Sequence, residues 1–278
     1  MHKVVELFGK SSNNINLDWR TITDEQCCPF TNKRCYKVRK SQPEISIGTC
    51  TVLYGTKSQP IIICPNRLLQ NRKVFIDCMH LLHLHQPGND IHVVPELSIP
   101  GGSVDYVIAS VKDNKVKDFV GIELQTLDTT GTIWPERQKL LYDLGIINNT
   151  IESNKTYGMN WKMTAKTILI QLHHKISTFE YLQKHLVLII QDIFLDYMKK
   201  EFNFKNINNP SLLGDSLQFH SYFLTGNDNQ SLKLKERLST NSIGIAECLG
   251  LNAEKSVDLE IMLEAIEKKI SNNTLLKI

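Results

Sequence analysis

The chain has 278 residues, 41% apolar and 22% charged, with a net charge of +3 at pH 7. That length holds one large domain or two modest ones, and the balance suits a globular protein while being too weakly basic to identify a nucleic-acid partner by charge. No apolar run approaches the roughly 20 residues of a membrane span, and Met1-His2-Lys3-Val4-Val5-Glu6 lacks the continuous apolar core of a secretion signal. The expected compartment is therefore the cytoplasm, where thiols stay reduced.

Of the seven cysteines, six lie between positions 27 and 78. An odd count argues against a closed disulfide set, and clustering in a reducing compartment argues for a metal. Cys28, Cys35, Cys50 and Cys64 are separated by 6, 14 and 13 residues; four thiolates make a tetrahedral site for zinc or iron. Cys27 is an awkward neighbour, because adjacent cysteines rarely share one ion. Cys27, Cys78 and Cys248 read as small buried or spare side chains. Lys33, Arg34, Lys37, Arg39 and Lys40 put five cations into eight residues. Such a run is either a solvated face or, on a metal-held loop, a clamp for DNA phosphates.

Further along, residues 72–85 carry helical spacing (Val74, Phe75, Cys78, Leu81, Leu82) stopped by Pro87-Gly88. Residues 91–94 are a short extended run, followed by a loop bounded by prolines and glycines over 95–102. Two runs, 103–111 and 116–125, then flank the turn-rich Lys112-Asp113-Asn114-Lys115 and predict a β-hairpin. A turn centred on Asn114 places Asp105 opposite Glu123, with Gln125 on the same face. Opposed side chains lie about 4.5–5.5 Å apart at Cβ. Two carboxylates there repel unless a cation sits between them, and oxygen ligands suit Mg²⁺. Asp113 and Asp118 read as surface charge on the hairpin.

Residues 161–175 predict a helix with Ala165, Ile168, Leu169 and Leu172 on one side. Residues 186–190 are continuously apolar, as in a strand buried on both faces. Helical spacing resumes over 193–204; 217–224 and 232–238 suggest a second hairpin, and 260–270 a terminal helix. This order implies a mixed α/β domain. The Asn-rich stretches 148–154, 206–209 and 226–230 read as loops. His80, His83, His85, His92, His173 and His174 read as solvated or hydrogen-bonded rather than ligating. Residues 245–250 faintly resemble a helix-turn-helix, for which core packing is the better reading.

Taken together, six stretches resemble restriction endonucleases of the NotI/EagI type. Cys28-Pro29-Phe30 with Cys35, Gly48-Thr49-Cys50-Thr51-Val52 and Ile63-Cys64-Pro65-Asn66-Arg67 match the metal cysteines. Glu96-Leu97-Ser98-Ile99 resembles the segment bearing an additional active-site glutamate. Val104-Asp105-Tyr106 and Gly121-Ile122-Glu123-Leu124-Gln125-Thr126-Leu127-Asp128 resemble the catalytic strands. The likeness runs from about residue 27 to 192, where residues 161–174 and 186–191 resemble the family's helix and next core strand. The stretch between Glu96 and Asp105 is shorter than the family's, and the loops after Leu127 differ.

The resemblance implies a restriction-endonuclease-like mixed sheet flanked by helices over residues 71–278, with an N-terminal four-cysteine module over 1–70. It selects Cys28 over Cys27 and implies iron, although the thiols themselves would accept zinc equally well. It implies a type II, site-specific double-strand cutter of DNA acting as a homodimer at a GC-rich palindrome, with a companion DNA methyltransferase. In that reading Asp105 and Glu123 hold Mg²⁺ against the phosphate and Glu96 completes the cluster. The position where many related cores carry a lysine is Gln125, a neutral amide that can orient water but is no cation or efficient base. Lys162 and Lys166 are the candidate substitutes. Thr129, Thr130, Arg137 and Gln138 supply groups that read base edges. Two other readings share these residues: a non-catalytic DNA-binding protein with a decayed core, and a repair or RNA-processing nuclease.

Overall fold

The computed structural model describes residues 2–148, 156–226, 230–251 and 259–269. Mixed α/β architecture is what it shows. Its centre is a six-stranded sheet in the order Ser231–Thr240, Leu217–Thr225, His185–Gln191, Lys115–Gln125, Gly102–Lys112, Asp90–Ile99. The two pairings made by His185–Gln191 are parallel and the remaining three antiparallel. Parallel neighbours need crossovers. The helix Trp161–Tyr181 lies in the first connection and Asp192–Glu201 in the second. Every residue of His185–Gln191 is buried, as its unbroken apolar run requires.

Each face of the sheet has its own cover. Leu186, Leu188 and Ile190 pack with Ile168, Leu172, Ile176 and Phe179 of the long helix. Val187, Ile189, Ile108 and Ile122 point the other way, toward Val74, Phe75 and Leu81. The N-terminal residues build a small antiparallel sheet from Lys10–Ser11, Val4–Leu7, Thr49–Tyr54 and Gln59–Ile62. Val52, Ile61 and Ile63 belong to the same apolar cluster as the long helix. The Gln191 side chain accepts from Ile62 N–H at 2.9 Å and donates to Pro60 O at 2.8 Å. The boundary expected near residue 70 therefore runs through shared packing.

Several elements differ from the sequence reading. The helix expected over 72–85 is a one-and-a-half-turn helix, Lys73–Cys78, between tight turns Pro65–Arg72 and Met79–Leu81; left-handed backbone at Asn71 and Arg72 (φ 53° each) sets its start. The loop expected over 95–102 is mostly strand, because Asp90–Ile99 continues through Pro95. This is an edge strand, where a missing N–H is tolerated. The long helix runs on to Tyr181 and the next ends at Glu201. Asp118 is not surface charge. It is buried, accepts from Leu84 N–H at 2.8 Å and meets Lys184 Nζ at 2.6 Å. The helix over 242–248 buries Ile245 and Cys248 in the main core. A terminal helix spans Leu259–Glu267; Ile270, within its expected range, lies outside the described residues, as do 149–154 and 227–229 of the Asn-rich stretches. No helix among the described residues is long and apolar enough to cross a membrane.

Four of the nine histidines pack in pairs. His80 stacks on His220 at 5.9 Å between ring centroids, and His83 meets His185 edge-on at 4.9 Å. His220 is fully buried. Its Nδ1 lies 3.6 Å from Cys78 Sγ, and its Nε2 has no partner among the described residues. Burial, with Arg237 and His80 nearby, pushes its pKa down to about 3. The unfolded chain would take up a proton near pH 6.5 that the folded chain refuses. Stability is thus full above pH 6.5 and falls as the pH drops toward 3, by about 1.4 kcal/mol per unit from this group. Urea melts at pH 7, 6 and 5 should show this loss, and His220→Gln should flatten it.

Candidate active site

Three strands and one helix position the site. Along Gly102–Lys112 and Lys115–Gln125 the ladder pairs Tyr106 with Ile122 and Val107 with Gly121. Beyond Tyr106 the regular pairing stops. There the Asp105 carboxylate itself accepts Leu124 N–H at 2.7 Å, so a side chain stands in for the ladder and the two strands part around it. On the other side, Asp90–Ile99 pairs Pro95 with Tyr106 and Leu97 with Val104. Between them Glu96 is forced to φ 50°, a conformation that costs a non-glycine residue about 1 kcal/mol or more. The strained residue sits directly beside Asp105.

Gly121 and Phe179 set the depth of the long helix. A Cβ on Gly121 would lie 2.4 Å from Phe179 Cζ, so only glycine lets this ring seat on the sheet. One turn back along the helix and two residues forward along the strand, Lys175 meets Glu123. Its Nζ lies 2.7 Å from Glu123 Oε1, and the two residues are 6% and 5% exposed. The turn at Gly101-Gly102 admits this helix: a Cβ on Gly101 would lie 2.3 Å from the His174 carbonyl oxygen.

The electrostatics follow from burial. Desolvation pushes Glu123 up to about 7; Lys175 pulls it down and Asp105 pushes it up. Desolvation also raises Asp105, opposed by the Leu124 N–H and by Lys175 and reinforced by Glu96. Asp105 thus interacts with Glu96, Glu123 and Lys175. Gln125 is half-buried on the same face, but its amide donates to Thr126 O at 2.7 Å. Lys162 and Lys166 are exposed, more than two turns from Lys175. The cation of this cluster comes from the expected helix, at its other end.

Cys28, Cys35, Cys50 and Cys64 are all buried and line one small pocket with Phe8, Pro29 and Asn66. Cys27 is exposed, whereas Cys78 and Cys248 are buried elsewhere, the latter donating to Asn203 O. The Cys50 thiol donates to Gly48 O at 3.5 Å; the neighbouring Cys50, the Lys37 ammonium and backbone N–H groups of Asn66 and Arg67 outweigh burial at Cys64 and lower its pKa to about 6. Burial raises Cys35, against N–H groups of Lys37 and Gly48. Thiols surrounded by N–H donors are a donor set that fits a soft or borderline metal. Among the described residues, no three His, Cys, Asp or Glu side chains stand at closed metal-holding geometry. The pocket gathers the thiols without arraying them about a point. The acidic cluster likewise forms no such group among the described residues.

The basic run is largely committed within the fold. Arg34 donates to Glu44 O, Lys37 to Ile63 O, and Arg39 lies 4.5 Å above the Trp134 ring; Lys33 and Lys40 are exposed. Arg137 does not face a groove. It is buried and donates to Ile47 O at 2.8 Å, Ser46 O at 3.2 Å and Gln138 Oε1 at 2.8 Å. That fixes the four-cysteine module to the helix Trp134–Asp143. Thr130 is exposed, whereas Thr129 is partly buried.

Comparison with protein-family models, curated proteins and solved structures gives no match. The assignment of function accordingly rests on the geometry above. Lys175 is the one member of the cluster that the sequence reading missed. Its signal was present: Ile168, Leu172, Ile176 and Phe179 mark the buried stripe of the helix, and Lys175 falls within it. A lysine in a buried stripe needs a carboxylate partner.

Proposed function

We propose that the protein is a Mg²⁺-dependent, site-specific endonuclease of DNA with a restriction-endonuclease-like core. The observation that carries this reading is the meeting of Asp105, Glu123 and Lys175 where the hairpin strands part, with strained Glu96 alongside. Asp105 and Glu123 would hold the cation and Glu96 would complete its shell, directly or through water. When bound, Mg²⁺ supplies charge neutralisation at the phosphate and a more acidic water. Lys175 holds Glu123 in place and partly offsets the burial that pushes its pKa up to about 7. It also sets a fixed positive charge beside Asp105, where the scissile phosphate would lie. The Leu124 N–H orients Asp105. Gln125, turned onto Thr126, adds no charge to the cluster. A palindromic target would be met by two copies of the chain related by a two-fold axis, one active site per strand.

Purified protein should cut a long linear duplex into discrete fragments with Mg²⁺ and leave it intact with EDTA. A smear, or cleavage of RNA in preference to duplex DNA, would replace site-specific cutting with repair or RNA processing. Intact DNA under all conditions would end the nuclease reading.

For the second site, we assign a structural metal to Cys28, Cys35, Cys50 and Cys64, iron with zinc as the alternative. Elemental analysis should give one ion per chain, and Cys64→Ser should lower both metal content and melting temperature. A chain that folds with neither metal would remove the assignment.

A further inference from the structure

Leu259–Glu267 is a helix of nine residues. Positions 259, 262, 263 and 266 are Leu, Met, Leu and Ile, the i, i+3, i+4, i+7 spacing of one apolar face. Met262, Leu263 and Ile266 are nevertheless 49%, 47% and 52% exposed. Helices shorter than about 12–15 residues are marginal in water and draw most of their stability from packing an apolar face. This one therefore needs a surface to lie on. A groove of about 400 Å³ lies close by along the chain, lined by Ile170 on the outer side of the helix Trp161–Tyr181 and by Phe202, Leu249 and Leu251. Phe202 and Leu249 rest on the main core, whereas Ile170 and Leu251 are 45% and 60% exposed. Lys166 also lines the groove and is exposed.

Distance, charge and concentration together select the occupant. Leu251, part of the groove, stands eight residues before Leu259. That stretch reaches at most ~29 Å, ample for a helix only ~13 Å long to lie in a groove that begins at Leu251. Glu264 and Glu267 are exposed on the helix, opposite in sign to Lys166. Glu264 is met by Lys268 at 3.5 Å, with both side chains in open solvent, a pairing that contributes little. A tether this short gives an effective concentration on the order of 1 mM, so at ~10 µM protein identical contacts favour the chain's own groove over a second copy's by about a hundred-fold. We propose that the helix Leu259–Glu267 docks its apolar face in this groove of its own chain. Docking removes exposed apolar surface from both partners at once. It would also brace the outer side of the helix Trp161–Tyr181, whose inner side carries Lys175. None of this depends on the nuclease reading.

Amide hydrogen exchange of the full chain, read by mass spectrometry over residues 259–267, tests the docking, because an undocked helix this short exchanges almost as fast as open chain. In the unaltered chain the segment should exchange at least about ten-fold more slowly than in Leu263→Gln/Ile266→Gln, where glutamine keeps the helix propensity but removes the apolar face. Ile170→Gln/Leu251→Gln should speed exchange of the same segment by a similar factor without altering its sequence. Both groove positions are exposed, so the main melting transition should stay in place; should Ile170→Gln disturb its own helix, Leu251→Gln alone leaves that helix untouched and serves the same comparison. Protection should be the same at about 1 and about 100 µM protein. Protection that grows with concentration, together with a two-chain mass by light scattering, would make a second copy the occupant and overturn the proposal. Open-chain exchange in the unaltered protein would overturn it as well, and so would protection that survives the groove substitutions, since the helix would then pack elsewhere.

Discussion

Asp105→Ala should lower Mg²⁺-dependent cleavage of duplex DNA by on the order of 10³-fold while leaving DNA binding within a few-fold of wild type. A metal clamp contributes several kcal/mol to phosphate chemistry, and each 1.36 kcal/mol is a factor of ten in rate. Alanine also removes the acceptor for Leu124 N–H, so its effect mixes chemistry with strand geometry. Asp105→Asn separates them: the amide oxygen still accepts that hydrogen bond, but the charge is gone. If charge is what matters, Asn should be nearly as damaging as Ala, with a melting temperature close to wild type. Fragment formation and fluorescence anisotropy on the same duplex would measure both. Wild-type cleavage by Asp105→Asn would remove Asp105 from the active site.

The register that sets Asp105 toward Glu123 was expected from a turn centred on Asn114, which is not the turn that forms. The tip of the hairpin is a two-residue turn, Asp113-Asn114, with both residues left-handed (φ 51° and 60°), and it pairs Lys112 with Lys115. Carried down the strands unbroken, that turn would have put Glu123 out of register by one residue. A bulge between Ser110 and Val111 in the pairing restores Ser110 to Asp118 and Tyr106 to Ile122. Bulges re-aim side chains, and nothing in this alternating sequence announces one.

Other features were hidden by tertiary context. Pro95 read as a loop because its edge position, where a missing N–H is harmless, is a property of the assembled sheet. Arg137 and the cations between 33 and 40 read as DNA contacts because side-chain type alone does not tell an exposed guanidinium from one spent on Ile47 and Ser46 carbonyls. The buried strand His185–Gln191 and the second hairpin matched expectation. In both cases periodicity was decisive: an unbroken apolar run and two alternating runs.

Lys175 offers the sharpest separation between holding the fold and running the chemistry. Removing one partner of a buried pair generally destabilises by about 3–5 kcal/mol. Lys175→Met should fall toward the lower end of that range, because Glu123 stands at about 7 even with Lys175 beside it, so without the ammonium the stranded carboxylate sheds its charge at neutral pH. Glu123→Gln alone leaves the ammonium buried without its carboxylate and should cost a similar amount. The double variant Glu123→Gln/Lys175→Met removes both charges and should recover most of the stability, measured as the midpoint of urea unfolding. Cleavage should be reduced at least ~10²-fold in all three. Lys175→Arg keeps a cation against Glu123 and should retain part of both properties. A double variant as stable as wild type yet inactive would place the pair in the active site; a double variant that cleaves normally would show that the pair only braces the helix Trp161–Tyr181 against the sheet.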